Sequence, residues 1–498
     1  MSVSRFALAC PGGFLRTNGD QIVDGDGQSV IWRGIGLAGW LNFENWMTGF
    51  PAYEQGMRGA VRDVLGPERS AFFFDRFLEH FFTADDARFI AGLGCNVVRI
   101  PVNYRHLEDD RRPFEIVESG FRHLDRAIEL LAACGVRTII DLHALPGWQN
   151  QDWHSDNPSH VAQFWQHPHF QDRVVHLWRA IAGRYRDEPW VAAYNPVNEP
   201  ADPTGEVIGP YSRRLVEAIR EVDPEHIVIL EGNRYSNDFD VYGEPLPNVI
   251  YSHHDYAPPG YVPDGRYPGV AHLTHVWESP DGIGYEHGIL LPDQSRDQYF
   301  DASVLERTYL KRSEYMLRTG TPVYVGEFNV VFTGEPERDR MRLDLLADQF
   351  EIYTRHRANW AFWPYKDIGV AAPLTVDPES PWMRRIRPVL EKKARLGVDL
   401  WGGRHDQIQQ VMRPLKELFA REFPDYRPFP FGSEFLIGRL VPQILFAEAL
   451  LPEFGELFRG MDEVAIDEMM SSFRFDRCRP RGPLVELLRR ACAQQAPV

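Results

Sequence analysis

The sequence predicts an α/β fold, a (β/α)8 TIM barrel with an N-terminal β-hairpin and a C-terminal helical extension. Eight short β-type runs alternate with amphipathic helical runs over the first 400 of 498 residues. Such alternation implies parallel strands joined by right-handed crossovers, and eight strands suit barrel closure. No GxGxxG follows an early strand, so the open doubly wound sheet lacks its usual signature.

The elements follow in order. Asn18-Gly19 sits between Arg16 and Gln21-Ile22-Val23, a hairpin signal, and Asp24-Gly25-Asp26-Gly27 supplies a second turn. Strands are expected over 30–35, 96–100, 137–142, 191–197, 227–230, 249–252, 322–325 and 359–363. Helical periodicity marks 121–133, 161–185, 211–222, 303–318 and 339–356. Three connections, 36–68, 143–160 and 255–300, are too long for turns, and each follows a strand. In a barrel they emerge on the face that carries the chemistry. Their aromatics, among them Trp40, Phe43, Trp46, Trp148, Trp153, Tyr261, Trp277 and Tyr285, are expected to wall a site. Beyond residue 400 helices are expected over 405–422, 434–451, 462–471 and 483–492. No Ser/Gly linker precedes them, so a barrel of 1–400 carries an extension of 401–498 packed against it.

Composition narrows the function. The chain is 44% apolar, 13% aromatic and 25% charged, which describes a folded globular protein rather than a disordered one. With 71 acidic against 54 basic residues the net charge is −17, and such a surface repels phosphate backbones, so no nucleic-acid partner is expected. Five scattered cysteines, Cys10, Cys95, Cys134, Cys478 and Cys492, form no CxxC pair, which argues against structural zinc and a disulfide framework. No run of about 18 uninterrupted apolar residues occurs, so no membrane span is expected. The apolar run over 6–10 is too short for a signal peptide, and a cytoplasmic location is expected.

Two carboxylates stand at strand ends. Tyr194-Asn195-Pro196-Val197-Asn198-Glu199-Pro200 closes the fourth strand and Val323-Tyr324-Val325-Gly326-Glu327-Phe328 the seventh. A lone strand-end Glu is often a structural ion-pair partner. Two on strands that face each other across one mouth match the need of glycosidic cleavage. Retention takes one protonated and one ionised carboxyl about 5–5.5 Å apart, in fields that drive their pKa values apart.

Further motifs make the pattern specific: Trp32-Arg33-Gly34, Val98-Arg99-Ile100-Pro101, Asp141-Leu142-His143, Asn198-Glu199-Pro200, His254-Asp255-Tyr256, Gly326-Glu327-Phe328 and Trp363-Pro364-Tyr365-Lys366. In their order and strand-end placement they resemble glycoside hydrolase family 5, in the clan of retaining (β/α)8-barrel glycosidases, over residues 12–366. The resemblance implies a carbohydrate or glycoconjugate substrate with a β-type linkage, most often to glucose or mannose. It makes Glu199 the acid/base and Glu327 the nucleophile, with Arg99, His143, Asn198, His254, Tyr256 and Trp363 at the remaining active-site positions. The long connections suggest a pocket for a short or terminal glycoside. The competing readings are a transglycosylase sharing the covalent intermediate and a non-catalytic carbohydrate-binding barrel.

Other polar residues are weighed beside these. His253-His254 with His143 and His160 raises a metal, but no HExxH or ligand-like spacing accompanies them, so neither metal nor cofactor is expected. Asp141 is read as strand support. Glu231 is open between substrate binding and structure, and Glu44 is a candidate ligand for a sugar hydroxyl.

Overall fold

On one face of several barrel strands the residues run from apolar to polar along the chain. Val97 precedes Arg99, Ile139 precedes Asp141 and His143, and Ile227 and Ile229 precede Glu231. Alternate residues of a strand share a face, so these series stack inside the barrel, with carbon at the bottom and charge at the top. The computed structural model bears this out. It describes residues 8–494 apart from 263, 274–275, 280–281, 286–289, 292–296 and 399–407.

Eight parallel strands close into a barrel: β1 (Arg33–Gly36), β2 (Val97–Asn103), β3 (Arg137–Ala144), β4 (Val191–Asn195), β5 (Ile227–Glu231), β6 (Val249–His254), β7 (Val323–Glu327) and β8 (Asn359–Phe362). β8 pairs with β1, in register Trp360 to Arg33, and completes the ring. Val97, Ile139, Ile227, Ile229, Ile250, Tyr324 and Ala361 form one buried cluster inside the barrel floor with Leu15, Ile22 and Trp32. The N-terminal hairpin therefore plugs the bottom. Its second strand also pairs with Ser29–Val30, so the first barrel strand begins at Arg33, not at residue 30.

The outer layer comes from helices such as Arg122–Ala132, Pro168–Tyr185, Ile208–Arg220 and Pro336–Arg355. Between β5 and β6 only the single turn Asn233–Ser236 and a short 3-10 turn intervene. The connection over 36–68 needs correction, because half of it is helix. A helical run spans Glu54–Phe81, broken where Gly66 adopts a φ of 77° and Pro67 restarts the turn. Met57, Val61 and Leu65 bury one stripe before the break, and Phe73, Phe74, Phe77 and Phe81 another after it. The Gly-Pro punctuation divides a periodicity that is otherwise continuous.

The chain after the barrel packs onto this helix. Gly455 lies so close to it that an added Cβ would sit 2.5 Å from the Ala60 carbonyl, and one on Gly56 would sit 2.7 Å from Leu451. Phe454, Phe458 and Phe473 surround Trp382, with Phe458 stacked on it at 5.9 Å. Strand Cys478–Pro480 pairs antiparallel with Leu374–Val376. Among the described residues one helix, Phe435–Glu456, is long and apolar enough to cross a membrane, with a mean hydropathy of 1.5. Its stripe of Ala447, Leu450, Leu451 and Phe454 is buried against the rest of the protein.

Lys366, just past β8, ties these layers together. Its buried Nζ lies 2.7 Å from Asp86 Oδ1 and donates to the carbonyls of Phe81 at 2.6 Å and Phe473 at 2.8 Å. Removing one partner of a buried pair leaves the other charge uncompensated, at a cost of about 3–5 kcal/mol. Lys366→Met is expected to lose about that much stability, measured as a drop in the urea midpoint at unchanged m-value.

Candidate active site

The polar ends of the strands converge on Arg99. It is fully buried, and its Nη1 donates to Glu327 Oε1 at 2.6 Å. Nη2 donates to Asn198 Oδ1 at 2.7 Å and Glu231 Oε1 at 3.0 Å, and it stands 3.1 Å from Asp141 Oδ2. Nε donates to Asn195 Oδ1 at 3.0 Å. Burial alone would depress the guanidinium pKa, but Asp141, Glu327 and Glu231 hold it above its ordinary value. Glu327, at the tip of β7, also accepts the Tyr256 hydroxyl at 2.7 Å on its other oxygen.

Glu199 lies beyond the end of β4 with a φ of 42°, a left-handed conformation that costs a non-glycine residue about 1–3 kcal/mol. The surroundings hold it there: Glu231 Oε2 accepts its N–H at 2.8 Å, and Asn150 Nδ2 donates to its carbonyl at 2.9 Å. Glu199 Oε1 accepts from His254 Nδ1 at 2.6 Å. Its Oε2 lies 3.1 Å from His154 Nε2. Burial, with the nearby charges of Glu327 and Glu231, raises its pKa to about 7 against the opposing pull of His254. His254 is buried, which alone would lower its pKa, but Glu327, Glu231 and Glu199 raise it. Its place depends on a register shift between β6 and β7 at His253/His254, which aims His254 into the mouth while His253 packs outward on Tyr309.

His143 is held by Asp141, to which its Nδ1 donates at 2.6 Å, while Nε2 accepts from Asn198 Nδ2 at 3.3 Å. Burial drops its pKa to about 3, so it is a neutral imidazole protonated on Nδ1. It stacks on the buried Trp363 at 5.4 Å and 16°. A Cβ on Gly36 would meet the Trp363 ring at 2.3 Å, so β1 needs glycine where this ring lies.

All eight residues expected at the site from the sequence, Arg99, His143, Asn198, Glu199, His254, Tyr256, Glu327 and Trp363, are thus brought into one cluster. Asp141 supports His143, and Glu231 is structural: it holds Arg99, the Glu199 N–H and the Ser236 hydroxyl. Glu44 lines the cleft, accepting from Trp46 Nε1 at 2.8 Å. The cleft measures about 690 Å³ including its open mouth, and Trp46, Trp153, Tyr235, Arg439 and Gln443 also line it. The side chains of Trp277 and Tyr285 lie outside the described residues. Sequence reasoning missed Asn150, Asp152, His154 and Tyr235, which stand in polar loops without a motif, and Arg439 and Gln443, which belong to the extension.

Single ligand atoms of Glu199, His254 and Glu327 lie within 4.8 Å of one another, close enough to share a cation. The donors around them already answer the carboxylates. Arg99 and Tyr256 occupy both Glu327 oxygens, and His254 Nδ1 is engaged by Glu199. A pair of carboxyls so close, one hydrogen-bonded to a guanidinium and one driven toward protonation, fits acid–base chemistry better.

A family model, Cellulase (glycosyl hydrolase family 5), matches residues 69–368. The chain belongs to glycosyl hydrolase family 5. It is a glycosidase. A "Beta-xylosidase" of Phanerodontia chrysosporium is 40% identical, covering 95% of this chain and 97% of that protein. A "Probable glucan 1,3-beta-glucosidase A" of Aspergillus clavatus is 34% identical over 46% of this chain and 56% of its own length. Among solved structures, the endoglucanase Cel5A of Thermotoga maritima is similar with a TM-score of 0.43 and 20% identity, covering 57% of this chain and 82% of that one.

Within this family 5 site, Gly326 gives a direct test. A Cβ there would lie 2.6 Å from Ser252 Oγ and 3.1 Å from His254 Nε2. Gly326→Ala is expected to push His254 off Glu199 and lower kcat/KM for glycoside hydrolysis about 100-fold, with circular dichroism unchanged.

Proposed function

We propose that this family 5 glycosidase is a retaining β-glycosidase that releases a terminal sugar by double displacement. The observation that carries the reading is the spacing of the two carboxylates, with one oxygen of each within 4.8 Å. Retaining enzymes hold their carboxyls about 5–5.5 Å apart, whereas inverting ones leave about 6.5–9.5 Å for a water. Glu327 attacks the anomeric carbon and Glu199 delivers its proton to the departing oxygen. Glu199 then takes a proton from water, which releases the sugar from Glu327.

Two environments support this division of labour. Arg99 and Tyr256 each donate to one oxygen of Glu327 and align it as the nucleophile. Glu199 has no guanidinium, and His154 on its Oε2 is a neutral ring with a pKa lowered by burial to about 3. Asn150 donates to His154 Nε2 at 2.7 Å, so that nitrogen carries no proton to give the carboxylate, and the ring does nothing to hold Glu199 ionised. Asn198, fixed by Arg99 and His143, lies next to Glu199 and would meet the sugar 2-hydroxyl, a contact that strengthens in the transition state.

A cleft of about 690 Å³ walled by loop and extension residues around these groups favours a short or terminal glycoside. The β-xylosidase relative, alike over nearly the whole chain, makes β-D-xylosides the first substrates to try and β-D-glucosides the second. Interception of the intermediate by a sugar instead of water remains the second outcome of the same chemistry.

The reading is tested with 2-deoxy-2-fluoro-β-glycosyl fluorides and intact mass. One sugar of the panel should add a single glycosyl group, and digestion should place it on Glu327; a label elsewhere would overturn the assignment. A second expectation follows from the raised carboxyl. Glu199 is protonated below its pKa of about 7, so kcat/KM should hold below that pH and fall tenfold per unit above it. Glu199→Gln should remove this alkaline limb and cost about 10²–10⁴-fold on poor leaving groups, far less on activated aryl glycosides.

A further inference from the structure

One wall of the cleft does not come from the barrel. The helix Gly432–Gly438 continues into Arg439–Phe446, which is wound as a π-helix with Pro442 inside it. Insertions of this kind concentrate at functional sites, because the wider turn re-aims side chains. Arg439 and Gln443 both line the cleft and are nearly buried, at 8% and 4% exposure.

These two residues are built into position. Arg439 Nη1 lies 2.6 Å from Asp152 Oδ1 and donates to Gln443 Oε1 at 2.9 Å. Its guanidinium also lies 4.5 Å over the Phe435 ring. The oxygen of the Gln443 amide is therefore committed, which leaves Nε2 as the group it can offer. Nothing among the described residues accepts from that nitrogen, so the amide is oriented as a donor at the cleft.

The place of the wall decides what it meets. Asp152 is two residues before His154, whose Nε2 touches Glu199 Oε2. Tyr235 lies 6.2 Å from His154 and packs on Phe431, which leads into the extension helix, at 5.4 Å. Trp363 is tied instead to Arg99, which holds Glu327 and whose guanidinium lies 5.6 Å over the Trp363 ring. A general acid must reach the departing oxygen, so the surface beyond it meets the leaving group rather than the transferred sugar.

We propose that Arg439 and Gln443 form, with Asp152 and Tyr235, the leaving-group subsite, and that this subsite recognises the hydroxyls of a second sugar. Guanidinium, amide and carboxylate beside one aromatic ring make a polar socket, chemically suited to a sugar and poorly suited to a bare hydrocarbon. The inference rests on the assignment of Glu199 as the acid.

The test compares two substrates of the same sugar, xylobiose and β-D-xylosyl fluoride, or the glucosyl pair if the inactivator panel selects glucose. Both transfer the same glycosyl group, but fluoride is one atom and cannot reach the wall. Gln443→Ala is expected to lower kcat/KM on the disaccharide about tenfold more than on the fluoride, the weight of one or two hydrogen bonds. Arg439→Lys, which keeps the charge facing Asp152 but loses the fork, should show the same selective loss. Equal losses on both substrates, or none on the disaccharide, would overturn the proposal. Failure of the parent reading looks different: if Glu199→Gln keeps the alkaline limb, the acid is misassigned even where the wall discriminates.

Discussion

Arg99 sits fully buried on the second barrel strand with Glu327, Glu231 and Asp141 within 3.1 Å, and the mouth is organised around that fixed charge. Four carboxyls, Asp141, Glu199, Glu231 and Glu327, face two cationic groups, Arg99 and a His254 whose pKa the carboxylates raise. Burying a carboxylate without a partner costs more than protonating it, so the surplus negative charge must be carried as protons. Two carboxyls take them up. Glu199, which makes no hydrogen bond to Arg99, rises to about 7, and burial lifts Asp141 to about 8 against the pull of the neighbouring Arg99. Glu231 is held low by His254, Arg99 and the Ser236 hydroxyl despite its burial. The raised pKa of Glu199 is thus a property of the whole polar floor, not of that residue alone.

The same floor explains why the fold is needed to build the site. Arg99, Asp141, Asn195, Glu231 and His254 come from five different strands, and no short peptide could bring them together. A stack of Val, Ile and Tyr side chains fills the barrel beneath them, sealed below by Leu15 and Ile22. Water is kept from the base of the guanidinium, which strengthens each of its contacts. The left-handed Glu199 is tolerated because Glu231 of this floor and Asn150 of a neighbouring loop hold its backbone N–H and carbonyl.

Much of this was legible in the sequence, for reasons that also show where legibility ends. Alternation along each strand marks the interior face, so Arg99, His143 and Glu231 could be placed by counting in twos, and Glu199 and Glu327 by their position at strand tips. The helix at Glu54–Phe81 was not legible, because Gly66-Pro67 interrupts its stripe and imitates a loop. His154 and Asn150 carry no local signal. Each acts through an atom of Glu199 that lies in another connection, and their identity as neighbours exists only after the barrel closes. The inward turn of His254 rests on a register shift that no residue type announces.

Arg439 and Gln443 illustrate the same limit at longer range. Their helix reads as an apolar segment, and its composition alone suggests a core element or even a membrane span. What the pattern hides is that the apolar stripe serves to dock the helix while its polar residues face the cleft. A loop placed over the mouth would have to order each residue on binding, at about 1–2 kcal/mol apiece for the backbone. A helix seated through Gly455 on Ala60 has met that cost in folding. The ion pair between Arg439 and Asp152 then anchors the connection that carries Asn150 and His154, both in contact with Glu199. The wall and the acid therefore share one support, so a change in the extension that loosens Asp152 would be felt at the carboxyl as well as at the leaving group.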